Sequence, residues 1–260
     1  MMKNIANIKS KISQLFFFTG DISLLFYNIL KATFTRPFYF HRLNEQIVIL
    51  GYESISITLV IGLTMGLVMT LNFGYGLAKF GGTLYVPAVV SLSLAREMAP
   101  LFTSLLVAGR VGSGIAAEIG SMSVTQQIDA IRALGTSPVR TLVVPRFWAL
   151  VISLPLLSSL AFAVGILGGM IVCKNEFDIP IGFYFHKVFS TVKLHDYLSG
   201  IVKSAIFGAI ITLFACYRGM STKNGTKGVG ESTTWVVVTT SILVLITDFF
   251  VSKIFLLIWN

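Results

Sequence analysis

Apolar positions along this chain come in long unbroken runs, not in the alternating or stripe-like patterns of elements that face water on one side. Five runs, at approximately 47–77, 85–109, 145–173, 197–217 and 231–258, exceed the roughly 20 apolar residues that a helix needs to cross a bilayer. Gly, Pro or charge clusters separate them. The pattern predicts an all-α, polytopic membrane protein with five transmembrane helices in a single domain, residues 1–260, whose transmembrane core is 46–260.

Residues 1–45 follow a different pattern. Lys3, Lys9, Lys11, Lys31 and Arg36 are interleaved with Ile5, Ile8, Ile12, Leu15, Leu24, Leu25 and Phe26 at helical spacing. This predicts one or two amphipathic helices lying in the membrane interface, ended by Pro37 before the first span. A sixth span over 15–34 is the alternative, opposed by the interruptions at Asp21, Asn28 and Lys31. The lysines ahead of Leu15-Phe16-Phe17-Phe18 imitate a signal peptide, but no small-residue cleavage site follows, so the segment reads as retained.

The stretch "EIGSMSVTQQIDAIRALGTSPVR", residues 118–140, is polar by comparison with its flanks. Ser123 and Gln126 have capping-box spacing, Val124, Ile128, Ile131 and Leu134 fall on one face, and Gln127, Asp129 and Arg132 lie elsewhere around the helix. Gly135 suits a left-handed cap and Pro138 ends the element. Two readings stay open from this pattern: a helix resting its stripe on its own bundle, or one that docks a partner.

Composition agrees with the membrane assignment. Hydrophobic residues make up 55% of the chain and charged ones only 12%, about half of what a soluble domain carries. The formal charge of +9 would suggest nucleic acid in a soluble protein. Here the basic residues flank apolar runs, which fits an anionic membrane face better and argues against nucleic acid. Arg110, Arg132, Arg140 and Arg146 in one connection, Arg218, Lys223 and Lys227 in another, and the basic N-terminal segment share one side, so the N-terminus is expected in the cytoplasm and the C-terminus outside, which the resemblance given below makes the periplasm. Cys173 and Cys216 then lie at opposite faces, too far apart for a disulfide.

Ionisable residues inside the runs are costly and call for partners. Arg96 and Glu97 lie in the second run, Lys203 in the fourth and Asp248 in the fifth. At 1.5 Å per residue their depths from the outer ends are about 17 Å for the first two, about 10 Å and about 15 Å, and the four formal charges cancel. Neighbours on a helix point about 100° apart, so Arg96 and Glu97 need partners on other helices. The expected pairs are Arg96 with Asp248 and Glu97 with Lys203. Gly62/Gly66 and Gly165/Gly169 each make a small face for close helix approach, in keeping with tight packing and with a homodimer.

No chemistry of a catalytic centre is legible. The chain lacks the Gly-x-x-x-x-Gly-Lys-Ser/Thr loop that binds ATP, "GSGIAA" at 112–117 follows a membrane-length run in place of a strand, and His41, His186 and His195 lack ligand spacing. Neither a cofactor nor a metal is expected. An autonomous secondary transporter or ion channel using the buried charges remains an alternative, although no internal repeat supports it.

The run "AREMAPLFTSLLVAGRVGSGIAAEIGSMSVTQQIDAIRALGTSPVRTLVVPRFWALVISLPLL", residues 95–157, resembles the permease subunits of the MlaE family, which includes the permeases of Mce-type transporters. The likeness is weaker in the last two spans and weak at the N-terminus. It implies that 118–138 is a coupling helix, with Glu118, Val124, Gln127, Ile128, Asp129, Ile131, Arg132 and Leu134 facing a separate ATPase subunit. It further implies a homodimer in a bacterial inner membrane, an MCE-domain partner, a STAS-domain protein as a further partner, and phospholipid as cargo moved between the inner and outer membranes. By the same resemblance, Leu67, Thr70 and Leu71 are candidates for the wall of a lipid pocket.

Overall fold

The computed structural model describes residues 19–35 and 40–259. The expected helix content of residues 1–18, including Lys3, Ile5, Ile8, Lys9, Lys11, Ile12 and Leu15, and the break at Pro37 lie outside the described residues. Eight helices are described: α1 (19–33), α2 (Phe40–Ala78), α3 (Thr83–Val124), α4 (Gln127–Ala133), α5 (Val139–Glu176), α6 (Ile181–Thr191), α7 (Leu194–Met220) and α8 (Gly225–Trp259). Among the described residues no strand occurs. Five helices are long and apolar enough to cross a membrane, namely α2, α3, α5, α7 and α8. The chain is an all-α multi-pass membrane protein.

The boundaries differ from the sequence expectation at the connection between the second and third spans. The second span does not stop at 109: α3 continues to Val124, and the third span begins at Val139. Gly109, Gly112 and Gly114, which stand at or after the end of the expected run, lie within helix. A glycine costs a helix only about 1 kcal/mol, which neighbouring contacts readily offset. Gly112 is where the fourth and fifth spans come close, and an added Cβ would meet Ile211 and Val236. The long spans contain π-helical turns at Ile47–Gly51, Leu94–Met98, Ala108–Gly112 and Val139–Val143, each of which widens the helix and redirects the side chains that follow.

Helices α2 and α5 run side by side in the same direction. An added Cβ on Gly62 would approach the Ala161 carbonyl oxygen to 2.6 Å, and one on Gly66 would strike Gly165. The two small-residue faces therefore meet each other within one chain, so they are not free for the homodimer contact expected of them. Thr70 is buried in the same seam, its hydroxyl 2.9 Å from where a Cβ on Gly169 would stand. It faces a helix contact, whereas its half-buried neighbours Leu67 and Leu71 remain partly open. The seam ends in Tyr184 of α6, whose phenol donates to the Ile166 carbonyl at 2.8 Å.

Helix α8 closes the opposite edge against α3 and α7. Only 6% of its most apolar window is buried, against 56% for α7. Thus α7 is an interior helix and α8 an edge helix whose outer face, with Val238, Ile242, Leu245, Ile246 and Phe249, belongs to lipid or another chain. Helix α1 is described from residue 19 to residue 33. It packs Leu25 and Ile29 into the core. Thr33 accepts a hydrogen bond from Trp148 Nε1 at 3.0 Å, and Arg140 donates to the Thr35 carbonyl at 2.8 Å.

Candidate functional site: an intramembrane charge network and a connector helix

The charged residues of the second, fourth and fifth spans converge, and the structure adds a member. Glu97 Oε2 accepts from Lys203 Nζ at 2.6 Å, while Asp248 Oδ1 lies 3.2 Å from the same ammonium. Arg96 does not reach Asp248. Its Nε and Nη2 bind Asp196 Oδ1 at 2.6 and 2.5 Å. The expected Arg96–Asp248 pair is corrected to Arg96–Asp196, because two adjacent residues on the Leu94–Met98 π turn point to different sides. Glu97 faces α7 and α8, and Arg96 faces the first turn of α7.

Asp196 is 2% exposed and also accepts the Lys193 backbone N–H at 2.9 Å. It sits in that first turn, where an acid favours the helix dipole. The expected fourth run begins at 197, which left Asp196 just outside it, whereas α7 starts at Leu194 and places Asp196 in its first turn. Ser252, one turn after Asp248, was also missed. Its hydroxyl is 2.7 Å from Lys203 Nζ, 3.1 and 3.2 Å from the two Glu97 oxygens and 2.7 Å from the Asp248 carbonyl.

Proline explains how Lys203 is held. Pro100 has no N–H, so the Arg96 carbonyl four residues earlier lacks its ordinary helical donor. Lys203 Nζ occupies that acceptor at 3.0 Å. The buried ammonium thus has oxygen partners on α3 and α8, which is the condition under which a charge of this burial is tolerated. Beside the network a cavity of about 270 Å³ opens, with Arg96, Glu97, His195, Asp196, Lys203 and Ser252 among its lining residues.

The connector region lies at the other end of the bundle. The capping box expected at Ser123 and Gln126 does not form, because helix α3 runs through Ser123. Gln126 is the residue that breaks the chain, with left-handed φ 59°. Ser123 instead hydrogen-bonds across to the fourth-to-fifth connection, its hydroxyl 3.3 Å from the Met220 and 3.2 Å from the Thr222 carbonyl. Helix α4 is therefore only seven residues, Gln127–Ala133. Gly135 (φ 73°) ends it, with Gly135 N–H donating to Arg132 and Thr136 N–H to Ile131.

The apolar stripe of α4 turns inward. Ile128 is 3% exposed and Ile131 is half-buried, both against the chain's own core. Gln127, Asp129, Arg132 and Leu134 face outward, and Leu134 is 82% exposed. Val124 is half-buried at the end of α3, and Glu118 lies one and a half turns earlier on that helix rather than on α4. Glu118 Oε1 takes a 2.5 Å contact from Nη2 of Arg146, which is itself 4% exposed and also donates to the Leu142 carbonyl. This pair clamps α3 to α5 just above the α4 connection.

Residues 43–254 match the family model described as permease MlaE. The chain is 36% identical over 256 residues to a probable ABC transporter permease protein of Rickettsia conorii, covering 98% of this chain and 99% of that one. It is 39% identical over 237 residues to a probable ABC transporter permease protein of Synechocystis, covering 91% and 88%. With the intermembrane phospholipid transport system permease protein MlaE of Haemophilus influenzae it shares 36% over 217 residues, 83% of each chain. The five-span bundle and the match over nearly its whole length place the chain in the MlaE permease family.

Proposed function

We propose that the chain is the membrane permease of an ATP-driven phospholipid transporter, working as a homodimer in a bacterial inner membrane, and that it moves phospholipid between inner and outer membranes to maintain outer-membrane lipid asymmetry. The N-terminus and α4 then face the cytoplasm and the C-terminus the periplasm. Hydrolysis belongs to a separate ATPase subunit, a MCE-domain protein receives or delivers lipid on the periplasmic side, and a STAS-domain protein accompanies the ATPase.

The observation that carries this reading is the construction of the connector. A short helix presents Gln127, Asp129, Arg132 and Leu134 outward while Ile128 roots it in the core. It is bonded to the fourth-to-fifth connection through Ser123, and the spans on either side of it are clamped by Glu118 and Arg146. A push on such a helix is passed to four spans. An exposed leucine beside a charged ridge suits a groove on a soluble partner.

The test is purification of the tagged full-length chain from native membranes in mild detergent, beside a Leu134→Asp, Arg132→Glu variant of the exposed face. Wild type is expected to bring down an ATPase and an MCE-domain protein, and the monodisperse variant to lose the ATPase alone. Substituting Ile128 would not serve, because a buried aspartate there disrupts folding. A wild-type chain that purifies alone and conducts ions in liposomes would overturn the reading.

A further inference from the structure

The turn between the fourth and fifth spans is a rigid neighbour of the connector helix. Thr222 is buried, its hydroxyl 2.9 Å from that of Ser232 on α8. An added Cβ on Gly120 would stand 3.1 Å from the same Thr222 hydroxyl, one on Gly219 would stand 2.8 Å from Ile119, and one on Gly228 would strike the Lys223 carbonyl. Contacts this close leave the turn no room to slide on α3 or α8. Asn224 and Gly225, with left-handed φ of 69° and 65°, then reverse the chain into α8. Lys223, Asn224 and Lys227 are left exposed on this fixed base.

Between the turn and α4 lies a cleft of about 370 Å³. One wall is Ser123, Val124, Gln126 and Asp129, and the other is residues 220–225. Two of the lining residues are ionisable. Asp129 is already engaged by Arg132 at 3.1 Å, whereas Lys223 has no counterion among the described residues. The side-chain amides of Gln126 and Asn224 likewise make no hydrogen bond with a described residue. An ammonium flanked by two amides is a donor set for a carboxylate. Lysines beside a membrane span ordinarily serve orientation alone. What distinguishes Lys223 is the opposite wall: Asp129 belongs both to the cleft and to the outward face of α4, so the two surfaces are continuous.

Resting on the proposed reading of the chain as an ATP-driven permease, we propose that the ATPase subunit holds it at two places, the outward face of α4 and this cleft, and that the subunit sets an acidic side chain, an aspartate or a glutamate, against Lys223. A partner held at both places moves α4 and the head of α8 together. Helix α8 carries Asp248 and Ser252, so the second contact gives the ATPase a direct line to the charge network.

The experiment titrates the purified full-length chain in maltoside detergent with the purified ATPase subunit that comes down with it, recognised by its Gly-x-x-x-x-Gly-Lys-Ser/Thr loop. At about 50 mM salt Lys223→Glu is expected to weaken binding on the order of tenfold and Lys223→Gln by less, and the difference from wild type should shrink at about 500 mM salt. Lys79→Glu, the same charge change on the exposed connection between the first two spans, should bind as wild type does. Zero-length carbodiimide coupling of the complex, read by mass spectrometry, is expected to join Lys223 through an amide to an aspartate or glutamate of the ATPase, and Lys223→Gln to lose that product. Unchanged affinity in Lys223→Glu, or coupling of the ATPase only at other lysines, overturns the inference and leaves Lys223 to the anionic leaflet; the permease reading then stands, provided that the Leu134→Asp, Arg132→Glu variant loses the ATPase in the same assay. A wild-type chain that binds no ATPase overturns both.

Discussion

Lys203 shows how single residues set the character of this bundle. It is 1% exposed, and its ammonium has three kinds of oxygen partner, a carboxylate, a backbone carbonyl and a hydroxyl. Removing one member of a buried pair leaves an uncompensated charge, at a cost of about 3–5 kcal/mol. Lys203→Met is accordingly expected to lower stability by that amount, while Lys203→Met combined with Glu97→Gln and Asp248→Asn recovers most of it. Unfolding in detergent with increasing denaturant reads the difference; equal losses in the single and triple variants would show that the network does not hold the helices together. Arg96 and Glu97 were legible as residues in need of partners because charge in an apolar run is expensive. Which partner each would take was not legible, since direction at that point depends on the π turn at Leu94–Met98 and on the carbonyl that Pro100 leaves open.

At the scale of elements, small residues decide which helices touch. Gly66 meets Gly165, whereas Gly76, ten residues later on the same helix, has nothing within 4 Å of an added Cβ. Gly66→Leu is expected to cost at least about 2 kcal/mol by forcing α2 and α5 apart, and Gly76→Leu to be nearly neutral. Thermal unfolding midpoints of the two variants in the same detergent make the comparison. The connector helix offers a second element-scale expectation. Arg146→Met should leave ATPase capture by the Leu134 face largely intact, because the exposed residues stay, yet lower lipid transfer per ATP hydrolysed by loosening the clamp at Glu118. A variant with an unchanged transfer ratio would mean that the clamp is structural alone. The α4 stripe was readable from spacing, but its direction was not. Apolar residues at helical spacing seek the nearest dry surface, and here that surface is the chain's own core.

For the whole molecule, α2 packs chiefly on α5, and α8 on α3 and α7 at the other side of the bundle. Helix α8 is the least buried of the membrane-spanning helices, and it adjoins the charge network through Asp248 and Ser252. In the proposed homodimer the outer face of α8 meets its counterpart, so Ile242→Cys is expected to cross-link two copies under mild oxidation in native membranes. Val60→Cys, on the exposed face of α2, should not. The native Cys173 and Cys216 are both buried and free, and do not interfere. Cross-linking at Val60 with none at Ile242 would move the interface to α2.

Sequence alone determined the class of the molecule, the number of its spans and the existence of a polar connector, because the cost of unpaired backbone and of charge in hydrocarbon leaves few arrangements for runs of this length. It also singled out Arg96, Glu97, Lys203 and Asp248, for the same reason. Tertiary structure decided what those constraints leave open. It extended the second span to Val124, turned the glycine faces toward each other within one chain, buried Ile128 and Thr70, and brought Asp196, Ser252 and His195 to the charged residues. These arrangements depend on contacts between residues about 50 to 155 positions apart, formed by packing that no local period encodes.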